Sequence, residues 1–192
     1  TVIAGSAQQR WLLVACYTGG VLSVLPVQED GLIGEAATDI VRQGAGSHSV
    51  YADGKWLLSP VLGLDKVDVW SFDSSAGQLA PSPNLSLPSG FGPRHLAIHP
   101  MHPTRILLAN EGSAATPVRV SLCSFDRKHG ALSALTTISA IPASADPNGL
   151  YPAEVLWSPD GSVAYVSVRD GTDQKRDAVA TVRFHADVDR LE

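Results

Sequence analysis

The chain has 192 residues, 44% hydrophobic and only 17% charged. That balance suits one all-β domain and argues against a disordered chain, a coiled coil or a charged helical bundle. The net charge is −5, from 14 basic and 19 acidic residues with the basic ones scattered, so there is no electrostatic footprint for nucleic acid or an anionic membrane surface.

The elements, taken in chain order, repeat. The first is an apolar strand, Arg10-Trp-Leu-Leu-Val-Ala-Cys-Tyr17. A turn at Gly19-Gly20 leads to the alternating strand Val21-Leu-Ser-Val-Leu25 and a polar turn, Glu29-Asp-Gly-Leu32. Residues 35–41 could be helical by composition, but their place in the repeat predicts an outer strand. Then the series restarts with a short strand, His48-Ser-Val-Tyr51, and the turn Ala52-Asp-Gly54. Lys55-Trp-Leu-Leu-Ser-Pro-Val-Leu62, Val67-Asp-Val-Trp-Ser-Phe72 and Ser75-Ala-Gly-Gln-Leu79 follow. The third series is His95-Leu-Ala-Ile98, Thr104-Arg-Ile-Leu-Leu-Ala-Asn-Glu111, Val118-Arg-Val-Ser-Leu122 and Lys128-His-Gly-Ala-Leu132, with a strand and then a loop over 134–145. The fourth is Ala153-Glu-Val-Leu-Trp157, Ser162-Val-Ala-Tyr-Val-Ser-Val-Arg169 and Ala178-Val-Ala-Thr-Val-Arg-Phe184.

Leu13, Leu58, Leu107 and Tyr165 are equivalent, at spacings of 45, 49 and 58 residues. Short strands at a period near 40–50 are the signature of propeller blades. The expected fold is therefore an all-β propeller of four-stranded antiparallel blades. The approximate units are 1–44, 45–91, 92–149 and 150–192, two full blades flanked by two partial ones. The chain starts at Thr1 and its one methionine is Met101, which favours a piece of a larger ring.

Cys16 and Cys123 lie in apolar runs and are expected to be buried thiols; two cysteines are too few for a disulfide framework or a cysteine zinc site. The apolar runs fall short of the ~18–20 residues of a membrane span. No start resembles a signal peptide, and the cytoplasm is the expected compartment. His95, His99 and His102 have no nearby carboxylate to complete a metal set, so no metal is expected. Read from the residues alone, His95 and His99 flank an alternating strand and are both expected to be structural. Ser47 and Ser49 lack a nucleophile-elbow context.

Several strings resemble the lactonase family of seven-bladed propellers, which includes 6-phosphogluconolactonases and fungal carboxymuconate cyclase. They are Leu12-Leu-Val-Ala-Cys-Tyr-Thr-Gly-Gly20, Ser47-His-Ser-Val50, Leu62-Gly-Leu-Asp-Lys-Val67, Gly92-Pro-Arg-His-Leu-Ala-Ile-His-Pro100, Ala109-Asn-Glu111 and Trp157-Ser-Pro-Asp-Gly161. The Gly-Pro-Arg-His and Gly-Leu-Asp-Lys strings are the more specific. The sequence departs from the family in the short stretch Gln43-Gly-Ala-Gly-Ser47, at Val61, at Leu156 and at Val168.

The resemblance places the catalytic groups at His48, Arg94, Glu111 and Arg169; Arg94, His95 and Arg169 are expected to bind substrate. The repeat agrees in part: Glu111 and Arg169 share a phase with Tyr17 and Leu62, so they face the same end of a ring, and His48 and Arg94 lie near equivalent points. The implied function is hydrolysis of a sugar-acid lactone such as 6-phosphogluconolactone, without cofactor or metal. Two arginines would hold anionic oxygens. His48 would activate water, and Glu111 would orient the histidine or carry the second proton. The implied partner is a small lactone or carboxylate, with no nucleic acid and no membrane. A carboxymuconate-cyclase-like lactonising isomerase and a non-catalytic propeller segment used for binding are the alternatives.

Overall fold

The apolar segment that recurs along the sequence is the second strand of a four-stranded antiparallel sheet in every copy. The computed structural model describes residues 2–5, 9–113 and 116–192, without the side chains of 113, 116 and 117. Blade 1 contains β1 (Val2–Gly5), β2 (Arg10–Cys16), β3 (Val21–Val27) and β4 (Asp39–Arg42). Blade 2 contains β5 (Tyr51–Asp53), β6 (Trp56–Val61), β7 (Lys66–Asp73) and β8 (Gln78–Ser86). Blade 3 contains β9 (Pro93–Ile98), β10 (Arg105–Ser113), β11 (Thr116–Asp126) and β12 (Ala131–Ser139). Blade 4 contains β13 (Leu150–Trp157), β14 (Val163–Asp170), β15 (Ala178–His185) and β16 (Arg190–Leu191). The strands follow chain order across each sheet, the meander of a propeller blade.

The two end blades each have four strands rather than the partial sets read from the sequence. The missed strands are short: β1 has four residues and β16 has two. The outer strand expected over 35–41 forms only at Asp39–Arg42, with residues 35–38 outside it, and the segment after β12 is a loop.

The core consists of three layers between blades. Trp11, Leu13, Leu22 and Val24 of blade 1 meet Val50, Leu57 and Phe72 of blade 2. Trp56, Leu58, Val67 and Val69 meet Leu96, Ile106, Leu108 and Phe125 of blade 3. Leu107, Val120 and Leu122 meet Val155, Ala164 and Val166 of blade 4. Neighbours Leu57 and Leu58, like Leu107 and Leu108, thus serve opposite layers, because successive strand side chains point to opposite faces. All of β6 is buried for this reason. Each fully buried Leu or Phe contributes about 1.5–3 kcal/mol relative to exposure. The outer faces of the end blades instead expose Ile3 and Ile40 on one side and Leu156, Tyr165 and Val179 on the other.

A tie recurs between blades. Trp11 Nε1 donates to Ser74 O, and Trp56 Nε1 to Arg127 O, both at 2.8 Å. Each indole lies against the glycine of that turn, Gly77 or Gly130, where a Cβ would collide with the ring.

The site depends on a third recurring feature. Blade 2 has four steps from Ser47 to Tyr51 against three from Leu58 to Val61. In blade 3 the pairing moves from His95↔Ala109 to Pro93↔Asn110. In blade 4 it moves from Val155↔Val166 to Pro152↔Val168. Each first strand therefore carries one extra residue at the same place. Bulges of this kind re-aim side chains and commonly flank active sites. His48, Arg94 and Ala153 are equivalent there, as are Ser49, His95 and Glu154. Adjacent bulges are linked: Ser49 Oγ donates to Arg94 O at 2.7 Å, and Arg94 Nη1 donates to Ala153 O at 3.0 Å.

Candidate active site

The bulges and the ends of β10 and β14 bring His48, Arg94, His95, Glu111 and Arg169 into one cluster. Glu111 and Arg169 follow equivalent central-strand positions on neighbouring blades. Glu111 Oε2 lies 3.0 Å from both Arg94 Nε and Arg169 Nη2. The Arg169 contact is an aligned hydrogen bond. The Arg94 contact is an ion pair whose Nε–H is not aimed at the oxygen. The carboxylate thus holds two like-charged guanidiniums together. Burial, followed by the nearby Arg169 cation, lowers the Arg94 pKa, and Glu111 partly offsets this.

Arg169 is steadied from behind by the next residue. The Asp170 carboxylate accepts hydrogen bonds from Arg176 Nε at 3.0 Å and Thr172 Oγ1 at 2.7 Å, folding the loop that follows β14. The Arg176 bond above all keeps Asp170 well below the usual carboxylate range.

The His48 ring packs edge-on to Tyr17 at 5.7 Å and to His95 at 4.9 Å between centroids. Its Nδ1 is buried and has no protein partner. Burial first, then the charges of Arg94, His95 and Arg169, lower its pKa to about 4, so the ring is neutral at pH 7. His95 Nδ1 lies 2.7 Å from Glu154 Oε2. The other oxygen of Glu154 accepts the Val155 N–H at 3.0 Å, and its own N–H donates to Ser167 Oγ at 2.9 Å.

All five residues read from the sequence therefore come together, but one expected contact is absent. Glu111 pairs with the arginines and not with an imidazole; Glu154 partners the histidine. Glu154 was legible in principle, since it occupies the His95 phase of the repeat. Tyr17 was likewise marked by its shared phase with Glu111. His99 is structural as expected: it is buried, with Nε2 3.0 Å from Gly161 O and Nδ1 accepting the Met101 and His102 N–H groups. Cys123 is buried, which pushes its thiol up to about 12, but Cys16 is only partly buried. A groove of about 440 Å³ between β12 and β15 contains none of the five cluster residues. No described helix is long and apolar enough to cross a membrane.

The sequence matches the lactonase family of 7-bladed beta-propellers over residues 1–192. The chain belongs to that family. Among curated lactonase relatives, the 6-phosphogluconolactonase of Pectobacterium atrosepticum is 27% identical over 163 residues, covering 83% of this chain and 47% of that protein. A solved protein from Lactobacillus plantarum superposes with a TM-score of 0.82 at 28% identity, over 99% of this chain and 55% of its own. The periplasmic gluconolactonase of Pseudomonas aeruginosa gives 0.80 at 26% identity, over 99% and 54%. The chain thus spans about half the length of the lactonase-family proteins it matches.

Proposed function

We propose that this site hydrolyses an anionic sugar-acid lactone of the 6-phosphogluconolactone type. The observation that carries the reading is the meeting of Arg94 and Arg169 at one Glu111 oxygen, beside the neutral ring of His48. Two guanidiniums fixed in one place can hold a carboxylate or phosphate and offset the charge of a tetrahedral oxyanion. Glu111 keeps them together when no anion is bound. His48 is a neutral imidazole beside the arginines, and its unprotonated nitrogen can accept a hydrogen bond from the attacking water. Water adds to the ring carbonyl carbon, the oxyanion forms beside Arg94, and the bond from that carbon to the ring oxygen breaks. No step needs a metal or cofactor. The names of curated relatives support the same substrate class.

A cytoplasmic compartment is part of the proposal. Cell fractionation checks that proposal, which a periplasmic relative makes necessary.

The test of the activity is a pH-stat assay on 6-phosphogluconolactone with a parallel ultraviolet assay on a carboxymuconate. Acid release above the spontaneous rate, with an unchanged muconate spectrum, is the expected result. Loss of muconate absorbance without acid release from the lactone would assign a lactonising isomerase instead.

A further inference from the structure

We propose that Glu154 is the positioning residue of the proton-transfer group, fixing the orientation and tautomer of His95, whose Nε2 carries the water proton to the departing ring oxygen. This inference rests on the lactonase reading and deepens it.

The argument starts from the hydrogen bonds around His95. Its Nδ1 faces a carboxylate oxygen at 2.7 Å, so Nδ1 carries the proton and Nε2 keeps the lone pair. The carboxylate, 45% exposed, places one oxygen on His95 and the other on the Val155 N–H. Its backbone is tied to Ser167. Both residues stand at bulges of adjacent blades, in the same phase of the repeat. The pair therefore bridges blade 3 and blade 4 at the site.

His95 Nε2 turns toward Arg94. The contact to Arg94 Nη1 is long, 3.5 Å, whereas the same Nη1 makes its shorter bond, 3.0 Å, to Ala153 O. A water or substrate oxygen can replace that long contact. The proton acceptor then lies next to the guanidinium that meets the oxyanion. The His95 side chain is 21% exposed, reachable yet confined.

His48 is the less suitable acceptor. Burial and three neighbouring cationic or ionisable groups oppose its protonation, and a general base works best with a pKa near the working pH. The division of labour follows: His48 holds the water, and His95 moves its proton. The balance closes within the site. The water oxygen bonds to the carbonyl carbon as its proton passes to His95 Nε2. The carbonyl carbon to ring oxygen bond then breaks, its electron pair stays on the ring oxygen, and Nε2 returns the proton there. His95 ends as it began, with Nδ1–H on Glu154. A carboxylate that orients an imidazole in this way is an established catalytic arrangement.

The test pairs imidazole ¹⁵N NMR with steady-state kinetics on 6-phosphogluconolactone for the wild-type chain, Glu154→Ala and Glu154→Gln. The wild type should show His95 as the Nδ1–H tautomer, and Glu154→Ala should lose that preference. Glu154→Ala should lower kcat by about 100-fold or more with KM held within about threefold. Glu154→Gln keeps an acceptor for Nδ1–H and should lose about tenfold. Being isosteric, it carries the test if the alanine variant does not fold. An active wild type whose kcat is unchanged in both variants, or whose His95 is the Nε2–H tautomer, overturns this inference and leaves the lactonase reading standing. A wild type inactive on lactones overturns both.

Discussion

Arg105 grips Asp189 with two parallel hydrogen bonds, Nε to Oδ1 at 2.5 Å and Nη2 to Oδ2 at 2.6 Å, where the preceding blade junctions set a tryptophan against a glycine. Arg105 occupies the phase of Trp11 and Trp56. Asp189, with φ of 49°, occupies the turn position of Gly77 and Gly130. The exchange is coordinated. Without an indole above it, the turn residue can carry a side chain, and an ion pair replaces the packing. Asp189→Ala should cost about 1–3 kcal/mol, the worth of charge-assisted bonds to a partly buried group. The double change Arg105→Trp with Asp189→Gly should recover most of that loss in urea unfolding. A loss in the double variant equal to the sum of the Arg105→Trp and Asp189→Gly losses would mean that the two positions are not coupled.

Gly130 makes the matching case. A Cβ there would enter the Trp56 ring, and its φ of +68° disfavours any L side chain. Gly130→Ala should therefore cost about 2 kcal/mol or more, read as a lower denaturation midpoint with an unchanged slope. An exposed glycine with open space, Gly31, is the control. Its alanine variant should cost less.

Most of the fold was legible because the buried second strand of each blade is a continuous apolar run between turn residues. Lys55-Trp-Leu-Leu and Thr104-Arg-Ile-Leu-Leu could not be missed. The end strands were not legible. Val2–Gly5 and Arg190–Leu191 are short and carry little pattern. The residues of the cluster were legible by motif and phase, but their pairing was not. Glu111 and Glu154 look alike in sequence. A one-residue bulge decides which of them meets an imidazole, and bulges leave no mark in hydrophobic periodicity. The Arg105–Asp189 tie joins residues far apart in sequence and breaks the repeat, so pattern alone conceals it.

The environment of His48 sets a pH dependence. Its pKa falls from the ordinary 6.5 to about 4 on folding. Between those values the unfolded chain binds more protons, so this group's contribution is complete above about pH 6.5 and is lost as the pH falls toward 4. Wild type should lose stability relative to His48→Gln across that window. Parallel stability curves for the two proteins would contradict the assignment.

After burial, the Arg94 charge is the largest contribution to that effect. In Arg94→Gln the His48 pKa should rise, a shift visible by imidazole NMR. Removing the guanidinium should also lower kcat/KM by about 100-fold or more, close to 3 kcal/mol at 1.4 kcal/mol per decade. An unchanged rate would remove Arg94 from the reaction.

The most direct measurement of the central claim is a crystal structure of the chain with the aldonate product, 6-phosphogluconate, supported by the same soak of Arg94→Ala. An anionic group within about 3 Å of both the Arg94 and Arg169 guanidiniums, absent from the variant, is the predicted result. A product bound away from those arginines, or bound equally in the variant, would contradict the assignment of this cluster as the lactone site.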